Sequence, residues 1–365
     1  MSSETDAAYM ARALQVARNA LYTADPNPAV GCVLVKHGRI IAEGWTQPPG
    51  QAHAEIHALR QTELAAGATA YVTLEPCSHH GRTGPCCDAL IAAGVTRVVA
   101  AIEDPNPLVS GQGLRKLKAA GVDIDTGVMA AEAAALNRGF LKRMTQGLPW
   151  ITGKLAASLD GRTALASGES RWITSEAARA DVHRHRAASS AVLTGVGTVL
   201  QDDPRLDARV DFPAAQPIKV VLDSQLRTPP NAKLLENGGQ VWLLTCSADF
   251  EKIRELKAYG FKIHTIESID GKPDLNAACR FLAGLGVNNL WVEAGAELNG
   301  AFLRSGLVDE WLIYMAPCIL GDRGRGMFQL PELNTMHDKI VLSLIDCQPL
   351  GPDLKLIYTQ QPNNR

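Results

Sequence analysis

The stretch from His53 to Cys86 constrains this chain more than any other. It opens with His53-Ala54-Glu55, passes through the apolar run Ala70-Tyr71-Val72-Thr73-Leu74, and closes with Pro76-Cys77, eight further residues and Cys86. A neutral imidazole and two thiolates are ligands of the kind Zn²⁺ prefers, and three protein ligands leave the fourth tetrahedral position for water, the pattern of a catalytic rather than a structural site. A structural site would draw a fourth ligand from the chain, and His79 or His80 is available for that. The residues alone do not choose between Cys86 and Cys87 as the last ligand.

Residues i and i+2 do not face each other on a regular helix, so His53 and Glu55 share a site only if a helix starts between them. Pro48-Pro49-Gly50 breaks the chain, and Ala54 to Ala66 is rich in helix formers, which predicts such a start. A second helix is predicted from Cys86 after Pro85, ending at Gly94. Two helix N-termini would then point at the metal and favour thiolate over thiol.

At 365 residues the chain is long enough for two domains, and a 46% apolar content is that of an ordinary globular protein. A formal charge of −2 argues against a partner held by phosphate neutralisation, so a small-molecule substrate is favoured over nucleic acid. Residues 1–20 carry Glu4, Asp6, Arg12 and Arg18 in an amphipathic pattern, unlike a signal peptide or membrane span. Eight scattered cysteines fit a reducing compartment, and the expectation is a cytoplasmic protein without membrane contact. Composition leaves the oligomeric state open, homo-oligomerisation included.

In chain order, Asp6 to Thr23 reads as a packing helix capped by Thr5 or Asp6, followed by a hairpin about Lys36-His37-Gly38-Arg39. Asn27, between two prolines, reads as a turn residue whose amide could reach a pyrimidine carbonyl. After the cysteines come a strand at Arg97–Ile102, a helix about Leu114–Ala120, a short strand about Val122–Ile124 and a helix from Ala130 to Met144. Asp104-Pro105-Asn106-Pro107 lies just past a strand's carboxyl end, where open α/β sheets place ligands. Gln146-Gly147-Leu148-Pro149 marks a boundary, giving domains 1–147 and 148–365. In the second half, strands alternate with helices up to Ala294, and an antiparallel strand-rich tail follows, so both halves are α/β. The run Gly295 to Gly300 follows a strand and opens a helix, where backbone amides can receive an anion. Gly195-Val196-Gly197 has Leu200 where a Rossmann fingerprint needs its third glycine.

At this point the chain resembles the bifunctional deaminase–reductase family of bacterial riboflavin biosynthesis, over nearly its whole length. The motifs are Asn27-Pro28 before Val30-Gly31-Cys32, His53-Ala54-Glu55, and Glu75-Pro76-Cys77-Ser78-His79-His80-Gly81-Arg82-Thr83 ending at Cys86. In the second half they are Lys154-Leu155 to Ser158-Leu159-Asp160-Gly161-Arg162, Gly168-Glu169-Ser170, Trp172-Ile173-Thr174-Ser175, Asp202-Asp203-Pro204 and Val292-Glu293-Ala294-Gly295. The resemblance implies a cytidine-deaminase-like layered domain followed by a dihydrofolate-reductase-like α/β domain. It implies Zn²⁺ on His53, Cys77 and Cys86, with Glu55 off the metal as proton shuttle, as in nucleobase deaminases. It implies NADPH near Ala156, Trp172, Thr198, Asp202, Ser224 and the run Gly295, Ala296, Glu297, Leu298, Asn299, Gly300 and Ala301. It implies a pyrimidine ribosylamino phosphate near Ser170, Arg186, Leu206, Arg209 and Glu293.

From the residues alone, Trp172 and Leu206 read equally well as core, and Arg186 and Arg209 as solvated charges. Lys154 and Glu293 are the candidate proton donors of the reduction. Ser224 with Arg227 is the candidate reader of the NADPH 2′-phosphate, and the loop carrying His79, His80 and Arg82 could hold a substrate phosphate. Two rival readings are a nucleic-acid-editing deaminase, disfavoured by the charge and the long loop between the cysteines, and a zinc-stabilised binding module, disfavoured by the open ligand position and Glu55.

Overall fold

The computed structural model describes residues 3–78, 84–106 and 110–360. The expectations attached to His79, His80, Arg82 and Pro107 lie outside the described residues. Contacts divide the chain into two units, Met1–Gly147 and Leu148–Arg365.

The first unit runs α1 (Ser3–Ala17), β1 (Gly31–Lys36), β2 (Arg39–Trp45), α2 (Ala54–Leu59), β3 (Thr69–Val72), α3 (Cys86–Ala92), β4 (Arg97–Ala100), α4 (Gln112–Ala119), β5 (Asp123–Thr126), α5 (Ala130–Leu136) and α6 (Arg138–Gln146). Its sheet has the order β2-β1-β3-β4-β5, with β1 antiparallel to both neighbours and β3, β4 and β5 parallel. His37 and Gly38, at φ 50° and 72°, make the hairpin turn between β1 and β2. Cys32, Leu34, Ala70, Val72 and Val98 enter one core, while Val33, Val35, Tyr71 and Val99 enter the other. Burial on both faces is why these strands read as unbroken apolar runs.

The second unit runs β6 (Trp150–Ser158), β7 (Arg162–Ala164), α7 (Glu176–Ala187), β8 (Ala191–Gly195), α8 (Val196–Asp202), β9 (Ile218–Leu222), β10 (Val241–Thr245), α9 (Phe250–Ala258), β11 (Lys262–Thr265), β12 (Ser268–Ile269), β13 (Lys272–Pro273), α10 (Leu275–Gly284), β14 (Asn289–Val292), α11 (Ala296–Ser305), β15 (Glu310–Ala316), β16 (Arg325–Gly326), β17 (Leu342–Leu350) and β18 (Asp353–Gln360). Nine strands form one sheet in the order β11-β10-β9-β8-β14-β6-β15-β18-β17. It is parallel from β11 to β15, and β18 and β17 then add antiparallel pairs. The chain enters at β6, steps past one position to β8, winds outward, and returns to lay β14 in the gap. The strand order therefore reverses beside β14, and α8 and α11 both start there, a topological switch point of the kind that holds ligands. No helix among the described residues is long and apolar enough to cross a membrane.

Three local expectations needed correction. α1 begins ahead of Thr5, and Asp6 lies buried inside its first turn instead of capping it. Hydrogen bonds from Arg97 and from the Tyr71 hydroxyl hold the Asp6 carboxyl at about 2. α2 stops at Leu59, short of Ala66, because the Gln61 amide turns back onto the carbonyls of His57 and Glu43 and Ala65 is drawn into the core. The single helix expected over Ala130–Met144 breaks at Asn137, where φ −115° and ψ 23° leave the helical region.

The Asn137 side chain explains that break. Its Oδ1 accepts from the Ala29 N–H at 2.8 Å and its Nδ2 donates to the Ala29 carbonyl at 3.0 Å, all in buried surroundings. Removing it strands a buried donor and a buried acceptor, each costing about 1–3 kcal/mol. Asn137→Ala should thus destabilise the first unit by about 2–4 kcal/mol in urea unfolding; a loss below about 0.5 kcal/mol would show that the helix break is not held by this pair.

Candidate functional site

In the first unit, three short segments place three donor atoms around one point. His53 caps α2 in an extended conformation (φ −71°, ψ 167°), so its ring leaves the helix while Glu55, one residue inside, points to the same side. Gly44 in β2 fixes that helix close to the sheet: a Cβ there would lie 2.2 Å from the Ala54 carbonyl oxygen, so only glycine fits. Cys77 follows β3 through Pro76, and Cys86 opens α3 just after Pro85. The His53 Nδ1 stands 3.6 Å from the Cys77 Sγ and 3.4 Å from the Cys86 Sγ, and the three ligand atoms all lie within 4.8 Å of one another. These separations suit donors converging on a single tetrahedral ion, and the N/S/S set is one zinc takes. Cys87, by contrast, packs in the core.

The Cys86 thiol beside Cys77 lowers the pKa of the Cys77 sulfur, and the proton the pair shares pushes Cys86 up. The Cys86 backbone N–H also donates to the Cys77 Sγ at 3.4 Å. With α2 and α3 only six and seven residues long, this directed N–H is a more specific source of thiolate stabilisation than a helix dipole. Glu55 is 4% exposed; burial, followed by the Cys77 charge, pushes its carboxyl up to about 7. A buried carboxyl near neutrality beside these three donor atoms is placed to take up and release a proton for a water that a metal there would bind.

In the second unit, a cleft of about 1180 Å³ opens at the reversal of strand order. Ala156, Trp172, Thr198, Asp202, Ser224, Gly295, Ala296, Glu297, Leu298 and Ala301 line it, as do Ser170, Arg186, Leu206, Arg209 and Glu293. Asn299 and Gly300 do not. Asn299 is buried and donates to the Ala294 carbonyl at 2.9 Å, and Gly300 lies against the Gln329 backbone, so both belong to the packed face of α11. Trp172 is 71% exposed, its ring beneath the Arg179 guanidinium at 4.6 Å, which rules out the core reading. Leu206 belongs both to the core and to the cleft wall.

Arg186 is no solvated charge. Its Nη2 donates to the Glu293 Oε2 at 3.0 Å, its Nε to Oε1, and its Nη1 to the Asp207 carbonyl. The Trp291 indole N–H also donates to Glu293, at 2.9 Å, and the Lys154 Nζ lies 3.7 Å away. Burial alone would raise the Glu293 carboxyl, but Arg186 and Lys154 outweigh it and hold it far below the usual range. Glu293 is therefore held as a carboxylate at the centre of this cluster. Burial pushes the Lys154 ammonium down against the opposing pull of Glu293, which makes it the better acid of the pair. Arg209 is partly exposed and pairs with Asp207 at 3.2 Å and with the His183 ring.

Arg179, Val182, His183 and Arg186 all line the cleft from α7. Their spacing of three and four residues is a helical-face signal, and reading it would have added Arg179 and His183 to the candidates. Arg171, whose guanidinium donates to the Asp202 carbonyl at 2.8 Å, had no such signal.

Comparison with known proteins gives a consistent result. Residues 3–102 match the zinc-binding region of cytidine and deoxycytidylate deaminases, and residues 149–356 match the RibD C-terminal domain. The riboflavin biosynthesis protein RibD of Escherichia coli (strain K12) is 49% identical over 96% of this chain and 98% of that protein. That of Haemophilus influenzae is 47% identical over 98% of each. Acinetobacter baumannii RibD superposes with a TM-score of 0.92 at 43% identity, covering 99% of this chain and 100% of that one. A Thermotoga maritima diaminohydroxyphosphoribosylaminopyrimidine deaminase/5-amino-6-(5-phosphoribosylamino)uracil reductase gives 0.85 at 30% identity, over 98% and 99%.

The Glu293 cluster yields a prediction with a definite sign. A carboxyl with a depressed folded pKa contributes stability above its ordinary pKa and loses it as pH falls through the folded value. Arg186→Met weakens this, because Glu293 then keeps only Lys154 and the Trp291 indole N–H against its burial and takes up a proton more readily. The variant should lose about 3 kcal/mol at pH 7, and the gap to wild type should narrow as pH falls through 4.5, the ordinary value for this group, and on towards the lower folded value of the wild type. Thermal melts of both proteins across that range check it; a gap independent of pH would mean Glu293 is not held ionised by Arg186.

Proposed function

This chain belongs to the RibD family of riboflavin biosynthesis proteins, and from that premise we propose how its two units divide the work. It is a bifunctional deaminase and reductase of riboflavin biosynthesis. The first unit deaminates 2,5-diamino-6-(5-phosphoribosylamino)pyrimidin-4(3H)-one, and the second reduces the ribosyl group of the product to ribityl with NADPH. The observation that supports this best is the convergence of the His53 Nδ1 and the Cys77 and Cys86 sulfurs within 4.8 Å, with Glu55 buried beside them. The partner is thus a small phosphorylated pyrimidine in the cytoplasm.

A Zn²⁺ held by His53, Cys77 and Cys86 supplies a water whose pKa is lowered to roughly 7. Glu55 would take the proton that a water bound there gives up when the amino-bearing C2 is attacked. The same carboxyl then hands a proton to the departing amine, which leaves as ammonia. Such proton transfer contributes about 10²–10⁴-fold.

In the second unit, NADPH bound in the cleft would supply hydride for reduction at C1′ of the substrate in its open imine form. Lys154 delivers the proton that the imine nitrogen gains, and ionised Glu293 keeps Lys154 and Arg186 turned into the cleft. The start of α11 receives the cofactor diphosphate on free backbone N–H groups. Gly295 sits at φ −76° and ψ 170°, so left-handed freedom is not its purpose. What it provides is space, since an added Cβ would meet nothing nearer than the Thr198 Oγ1 at 4.0 Å. Ser224 and Arg227, both on the cleft wall, are placed to read the 2′-phosphate.

A crossed experiment tests both halves. Glu55→Ala should keep its zinc by elemental analysis, lose ammonia release by about 10²–10⁴-fold, and still reduce deaminated substrate. Gly295→Val should melt like wild type and release ammonia normally but raise the KM for NADPH. Zinc lost from Glu55→Ala would make Glu55 a ligand, and an unchanged NADPH KM in Gly295→Val would move the cofactor away from α11.

A further inference from the structure

Glu75, two residues before Cys77, is buried at 4% exposure and touches none of the three metal donors. Its carboxylate instead accepts four backbone N–H groups from the segment that leads into α4. Oε1 accepts from Gly113 at 2.9 Å and Leu114 at 3.3 Å; Oε2 accepts from Gly111 at 2.9 Å and Asp104 at 3.1 Å. A second contact binds the same two segments. A Cβ on Gly113 would lie 2.0 Å from the Pro76 carbonyl oxygen, so the residue between Glu75 and Cys77 rests directly on the Gly113 backbone.

We propose that Glu75 and Gly113 form a bracket that positions Cys77 for the metal. A free loop after β3 would let the Cys77 sulfur wander, and ordering it on metal binding would cost affinity. Locking Glu75-Pro76 onto the start of α4, a helix anchored in the core by Leu117, removes that cost beforehand. Groups that orient a ligand without touching the metal typically matter by about 10–100-fold in metal affinity or activity. Glu75 is a positioning residue, since its acceptors are all spent on backbone. This inference rests on the reading of His53, Cys77 and Cys86 as zinc ligands.

Metal binding to the full chain tests it. Zn²⁺ affinity is measured by chelator competition, and Co²⁺ substitution reports geometry through its ligand-field and thiolate charge-transfer bands. Glu75→Gln keeps the size of the side chain but turns an amide towards backbone donors, and Gly113→Ala forces Pro76 to shift. Each should weaken Zn²⁺ binding about 10–100-fold and shift the Co²⁺ bands. Leu117→Ala, which damages the same helix away from the bracket, should lower the melting temperature while the folded protein keeps wild-type affinity and bands. If Glu75→Gln fails to fold, Gly113→Ala carries the test alone. Wild-type affinity and bands in the bracket variants, or an equal loss in Leu117→Ala, would overturn the bracket. A wild-type chain showing no thiolate-to-Co²⁺ band would overturn the ligand reading, and the bracket with it.

Discussion

One nitrogen and two sulfurs held within 4.8 Å of one another set the terms for the first unit. They come from the mouth of α2, the exit of β3 and the mouth of α3, so all three segments must be fixed before the donors can converge. The sheet supplies that order. β2 carries α2 on the bare backbone of Gly44, and β3 emerges between β1 and β4 aimed at the start of α4. Glu55 can join the three donors because the cap residue His53 is extended and lies outside the helical phase, and the carboxyl interacts with His53, Cys77 and Cys86. Burial of that carboxyl is what makes it useful, since an exposed glutamate would lie too low to return a proton near neutrality.

The second unit solves a different problem, a charged cleft at the end of a parallel sheet. Its centre is a carboxylate, Glu293, surrounded by Arg186, Lys154 and the Trp291 indole from three separate elements. Taking those charges out of water is costly, and the two hydrogen bonds from Arg186, the one from Trp291 and the nearby Lys154 charge offset that cost. The result is a site whose shape is set by electrostatics and whose lysine ammonium, Lys154, gives up a proton more readily because of its burial.

Much of this was legible in the residues. Special chemistry stands out in any context, so His53-Ala54-Glu55 and Pro76-Cys77 to Cys86 identified the metal group, and apolar runs identified the doubly covered strands. What escaped was information carried by partners far away in the chain. Asn137 breaks a helix because of Ala29, 108 residues earlier, and Glu293 is held as a carboxylate by Arg186, 107 residues before it. Asn299 and Gly300 sat inside a correct motif, but the phase of α11 turns them to the packed face. For Trp172 the residues alone left core and cleft equally open, and the structure places it exposed on the cleft wall beneath Arg179.

The claim on which everything else rests is that the metal group in residues 1–147 serves one reaction and the cleft in residues 148–365 serves the other. Cys77→Ser tests it most directly, assayed with the diaminopyrimidine nucleotide for ammonia and with deaminated nucleotide for NADPH oxidation. The account expects zinc and ammonia release to be lost and NADPH oxidation to stay at the wild-type rate. A folded Cys77→Ser protein that still releases ammonia at the wild-type rate, or that no longer oxidises NADPH with deaminated substrate, would contradict it.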